Sequence, residues 1–164
     1  MDTHQLNYFA GQLGIKNFMG TFAVDELLTI SEDRCGLMIF NTESSEKKGQ
    51  HWIAVCISKT NVFYYDSLNL DFIFQIEISN FLLRLKKNVF YNKIITQPAV
   101  SNKCGVHCLV FCFHMTEIQS FQRYKQFLKA YIPFELVQRD ELTFKYFLSL
   151  LNNADIFNSQ HQLL

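Results

Sequence analysis

The sequence predicts an α+β domain: a central mixed β-sheet packed against a buried helix. Three observations carry this. Two segments rich in β-branched and aromatic residues, His51–Ile57 and Val62–Asp66, flank the turn-forming run Ser58-Lys59-Thr60-Asn61 and read as a hairpin. Gly105–Met115 is apolar nearly all round, the signature of a helix with no solvent face. Helix-period segments lie before and after the strands.

In chain order, Thr3 is placed to cap a short helix over residues 4–13, ended by Gly14. A helical turn follows near Asp25–Thr29, and Gly36–Phe40 reads as a buried strand. The run NTESSEKKGQ (41–50) is a polar loop leading into the hairpin. Residues 71–87 carry apolar side chains at 72, 73, 74, 76, 78, 81, 82, 83 and 85, which suits a helix with charge near its end. A strand is expected over Val89–Ile95, the buried helix over Gly105–Met115, and two further helices near 118–130 and 140–151. The pattern weakens after Asn152, so residues 153–164 are expected to form a loose tail or a docking segment. No repeat, low-complexity tract or linker divides the 164 residues, and a single domain is expected.

Composition excludes several classes. With 17 Phe and about half its residues apolar, the chain has ample material for a core and is not a disordered segment. Fifteen basic residues balance fifteen acidic ones, so net charge gives no pull toward nucleic acid or anionic membrane. Arg84, Lys86 and Lys87 form a small basic group that reads as a solvated helix face. No apolar run approaches the roughly 18 residues of a bilayer span, and MDTHQLNYFAGQLG lacks the pattern of a signal peptide. Five cysteines, an odd number, then read as reduced thiols in an intracellular protein.

The chemistry concentrates in KCGVHCLVFCFH (103–114), where three cysteines and two histidines fall within twelve positions. A metal site is one reading. Cys104, Cys108 and Cys112 drift around a helix axis at about 100° per residue rather than converging on one ion. The chain has no CxxC pair to complete a zinc site, so no metal is expected. Cys108 and Cys112 read as small core hydrophobes. Cys104 differs, because it follows the polar SNK and opens the helix, where free amides and the helix dipole favour a thiolate.

A nucleophilic thiol needs an imidazole base and a group to orient that base. If the turn pairs Ser58 with Asn61, residues whose numbers sum to 119 face each other, and His51 and Asp66 share one sheet face as diagonal neighbours. Read alone, the two are equally well polar residues at strand ends. Gln97, seven residues before Cys104, offers an amide N–H2 for an oxyanion, although by itself it reads as a surface glutamine.

Taken together, GQHWIAV (49–55), YYDSLN (64–69) and QPAVSNKCG (97–105) resemble the catalytic segments of the adenovirus-type processing cysteine proteases, within the ubiquitin-like-protein protease superfamily. MGTFAVDEL (19–27) is similar to a segment of the adenoviral branch, while YYDSL resembles the branch acting on ubiquitin-like modifiers. The likeness spans about residues 17–115. It implies a papain-like fold in circularly permuted order, with the nucleophile at the N-terminus of the buried helix. The implied roles are Cys104 as nucleophile, His51 as general base and acid, Asp66 as orienter of His51 and Gln97 as oxyanion donor, with Trp52 and Gly105 beside bound substrate. The implied activity is endopeptidase cleavage of viral capsid or core precursors during virion maturation, after small residues such as Gly-Gly or Gly-x-Gly. The enzyme is then expected inside the host cell, in cytoplasm or nucleus, and packaged in the virion, acting as a monomer on polypeptide partners. The neutral charge argues against the DNA dependence of the strongly basic adenoviral enzyme. RLKKNVFYNKIIT (84–96) lacks the cysteine through which that enzyme binds its activating peptide, leaving a noncovalent activator as the form such help would take. Two alternatives remain open: a protease that removes a ubiquitin-like modifier, and a non-catalytic zinc-binding module.

Overall fold

The computed structural model describes residues 1–47, 49–70, 75–117 and 119–161, the last seven by backbone alone. It is an α+β fold built on a mixed five-stranded sheet. The strands are β1 (Phe18–Phe22), β2 (Gly36–Asn41), β3 (Trp52–Ile57), β4 (Asn61–Tyr65) and β5 (Asn88–Tyr91), adjacent in chain order. Strand β3 runs antiparallel to both β2 and β4, while β1 and β5 lie parallel to β2 and β4 at the two edges.

The hairpin has the expected register, with Ile57 opposite Val62 and Ala54 opposite Tyr65. Ser58 secures its turn: its N–H and hydroxyl both donate to the Asn61 carbonyl, and the hydroxyl accepts the Asn61 amide. The alternation along these strands separates two cores rather than core from solvent. Leu37, Ile39, Trp52, Ala54, Cys56, Phe63 and Tyr65 face one layer. Met38, Phe40, Ile53, Val55, Ile57, Val62 and Tyr64 face the other. Helices on both faces explain why the strands read as nearly unbroken apolar runs.

On the first face pack α1 (Thr3–Gln12), α3 (Cys104–Met115), α4 (Phe121–Lys129) and α5 (Leu136–His161). On the second lie a 3-10 turn (Val24–Thr29) and α2 (Ile76–Arg84). Helix α3 is the hub, packed on β3 and wedged between α1, α4 and α5, so its residues are buried nearly all round.

Several boundaries differ from expectation, each for a physical reason. The cap of α1 is Asp2, not Thr3: its carboxylate accepts the Gln5 amide and the Gln5 side chain accepts the Asp2 amide, a reciprocal capping box. The expected helix over 71–87 is shorter and stops as Lys86 turns to a φ of 52°. Residues 71–74 of that expectation lie outside the described residues. Strand β5 ends at Tyr91 rather than Ile95, because Asn92 spends its side chain on the backbone of Asp66 instead of continuing the ladder. Helix α4 begins at Phe121, where Ser120 caps the Arg123 amide; residue 118 lies outside the described residues. Helix α5 is far longer than 140–151 and runs through much of the expected tail, of which residues 162–164 lie outside the described residues.

Candidate active site

The four residues singled out by pattern occupy neighbouring element ends. Cys104 is the first residue of α3, His51 immediately precedes β3, Asp66 immediately follows β4, and Gln97 lies in the loop between β5 and α3. All four are buried or nearly so.

The His51 ring is held from both sides. Its Nε2 lies 2.6 Å from Asp66 Oδ1. The Cys104 thiol acts on the same ring, and with Nε2 committed to Asp66 the nitrogen left for it is Nδ1. Burial would depress the basicity of this imidazole, but hydrogen bonds to Asp66 and Cys104 and the negative charge on both outweigh it and raise its pKa to about 9. The thiol responds in the opposite sense. Burial pushes Cys104 up, yet the bond to His51, backbone N–H groups of Trp52 and Gly105 and the imidazolium charge together bring it below the ordinary thiol range. The pair therefore favours thiolate and imidazolium over two neutral groups.

Asp66 is fixed more tightly than a single partner requires. Its Oδ1 also accepts the Leu68 amide at 2.8 Å, and Oδ2 accepts the Leu70 amide at 2.9 Å, so the carboxylate is anchored in the turn it begins. Asn92 holds its backbone from the neighbouring strand: the Asn92 amide oxygen accepts the Asp66 N–H at 2.9 Å, and Nδ2 donates to the Asp66 carbonyl at 2.6 Å. Sequence reading missed Asn92. Its only local signal is an asparagine interrupting an apolar stretch, and its partner lies 26 residues away.

Gln97 is tied into the same turn. The Ser67 hydroxyl donates to Gln97 Oε1 at 2.7 Å, which fixes the orientation of the amide. Gln97 Nε2 donates to the Ser101 carbonyl at 2.6 Å, leaving its second hydrogen uncommitted by that bond. Trp52 donates its indole N–H to the Met1 carbonyl at 3.0 Å and lines a cleft of about 580 Å³ with Thr21, Asn41, Glu43 and Gly49 among its walls. The room left by the missing side chain of Gly105 is taken by Leu6 and Met1, within 3.1–3.2 Å of where a Cβ would sit.

The other two thiols of α3 have a different environment. Cys108 and Cys112 are fully buried, and burial pushes both thiols far above their ordinary range. No group of three or more His, Cys, Asp or Glu residues among the described residues is placed to hold a metal ion. No helix among the described residues is long and apolar enough to cross a membrane.

Compared with known family models and with curated proteins, the sequence matches none.

Proposed function

We propose that the protein is a cysteine endopeptidase of the adenovirus type, with the papain-like arrangement in circularly permuted order. One observation carries the reading: His51 is bonded at 2.6 Å to a buried carboxylate, and the same ring interacts with the thiol that opens α3, which raises the imidazole and lowers the thiol. A structural His–Asp pair has no need of a thiol on its second nitrogen.

The chemistry follows from this arrangement. The Cys104 thiolate attacks the carbonyl carbon of the scissile peptide, and the carbonyl electron pair moves to oxygen. The free hydrogen of Gln97 Nε2 and the Cys104 backbone N–H are the donors for that oxyanion. The His51 Nδ1 proton goes to the departing amine as the C–N bond breaks, leaving a thioester on Cys104. His51, now neutral, takes a proton from water, whose oxygen attacks the thioester. Collapse of that second intermediate breaks the C–S bond, expels the Cys104 thiolate, leaves the proton on His51 and releases the acid, restoring the starting ion pair. Asp66 keeps the ring in the one orientation that serves both proton transfers, held in turn by Leu68, Leu70 and Asn92.

The proposed substrates are capsid or core precursor polypeptides of a virus or virus-like element, cut after small residues. Incubation of the chain with fluorogenic peptides carrying Gly-Gly or Gly-x-Gly before the reporter, and with capsid precursors, tests the reading. Cleavage should vanish in Cys104→Ala with the fold retained; cleavage that survives this substitution contradicts the assignment. Release of a ubiquitin-like modifier in preference to capsid fragments would keep the mechanism and change the substrate.

A further inference from the structure

A second His–Asp pair lies beneath the catalytic loop, contributed by α3 and α5. Asp140, 5% exposed, accepts four contacts from three residues of the loop–helix segment. The Ser101 hydroxyl lies 3.1 and 3.0 Å from its two oxygens, Lys103 Nζ 2.9 Å from Oδ2, and His107 Nε2 3.0 Å from Oδ1. His107 is wholly buried, and its Nδ1 meets the Tyr65 hydroxyl at 3.2 Å and the Thr96 hydroxyl at 3.4 Å. Burial drives the His107 imidazole below its ordinary value despite the neighbouring carboxylate. The ring is thus neutral, donating from Nε2 to Asp140 and accepting at Nδ1.

Two of Asp140's partners bracket the site. The carbonyl of Ser101 is the acceptor that fixes Gln97 Nε2, and Lys103 is the residue before Cys104, with its own amide donating to the Ser101 hydroxyl at 3.3 Å. On the protease reading given above, we propose that Asp140 is a positioning residue: by clasping Ser101 and Lys103 from α5 it sets the distance between the Gln97 amide and the Cys104 sulfur. The carboxylate never meets substrate. Its charge is taken up by Lys103, Ser101 and His107, so it does not oppose the thiolate.

A purely structural ion pair between α5 and α3 would predict lost stability and unchanged turnover. The positioning role predicts a loss in kcat at nearly constant KM, because misplaced oxyanion donors matter only in the transition state. The measurement is kcat and KM on the fluorogenic Gly-x-Gly peptide for the wild type, Asp140→Asn, Ser101→Ala, Ser101→Thr and the double variant Asp140→Asn/Gln97→Ala. Asp140→Asn is expected to lower kcat on the order of 10- to 100-fold, as a small displacement of catalytic groups does. Ser101→Ala, which leaves the buried carboxylate and its other partners in place, is expected to move kcat in the same direction, and Ser101→Thr to restore most of it. On a Gln97→Ala background, Asp140→Asn should add almost nothing. Full kcat in an active, folded Asp140→Asn enzyme, or losses that simply multiply in the double variant, overturn the positioning role alone. A wild-type chain that cleaves no peptide overturns it together with the protease reading.

Discussion

Two histidines in this molecule each face an aspartate, and they end up with opposite proton affinities. His51 lies 2.6 Å from Asp66 and is raised to about 9, whereas His107 lies 3.0 Å from Asp140 and is lowered. The carboxylate is therefore not what separates them. Burial pulls both down. His51 recovers because the Cys104 thiol, which takes negative charge as the ring takes positive charge, adds to the larger effect of its bond to Asp66. His107 meets hydroxyls of Tyr65 and Thr96 there, and Lys103 adds positive charge nearby. On the proposed protease reading, a His–Asp pair serves as a base where a thiol joins it and as a clasp where hydroxyls and a lysine do.

The difference gives a graded set of expectations. His51→Ala should reduce kcat/KM by about 10³-fold or more, since it removes both the thiolate's counter-ion and the proton carrier. Asp66→Asn should reduce it on the order of 10²-fold and also move the alkaline limb of the pH–rate profile below 9, because the Asp66 bond is the main force raising His51. In the wild type that limb should fall near 9 as His51 loses its proton, and the acid limb should fall as Cys104 gains one, below the usual thiol range. The linked stability has the same signs. The part due to His51 is complete below its unfolded value of about 6.5 and is lost as pH rises through 9. Gln97→Ala should lower kcat by about 10²-fold with little change in KM, the behaviour of an oxyanion donor.

His107→Ala breaks the comparison from the other side. It leaves Asp140 short of a buried partner and should lower stability by about 1–3 kcal/mol in a denaturant melt. The alkaline limb should stay near 9, because His51 sets it. Cys108→Ser is the mildest case, expected to lose stability by about 1–3 kcal/mol through an unpaired buried hydroxyl while turnover persists.

Much of this contrast can be traced to the sequence, and some cannot. The register that brings His51 to Asp66 is legible because the four-residue turn at Ser58–Asn61 fixes it and no bulge intervenes. Cys104 stands out from Cys108 and Cys112 because a polar loop precedes it, and a helix start is a local property. Asn92 and Asp140 are not legible, since a buried polar residue is marked by partners 26 to 39 residues away and by nothing beside it. The end of β5 was hidden for the same reason: Ile94 and Ile95 prolong the apolar run, while Asn92 has already left the ladder. The pattern predicts a shorter α5 because its later turns carry Asn152 and Asn153, weak helix formers that the long element nonetheless accommodates.

The most direct test is the pH dependence of Cys104 alkylation by iodoacetamide, which needs no knowledge of the substrate. The thiolate held by His51 should make Cys104 react at a pH below the ordinary thiol range, a behaviour that His51→Ala abolishes and His107→Ala leaves in place. A Cys104 that titrates like a free thiol, near 8.5, and is indifferent to His51 would contradict the account.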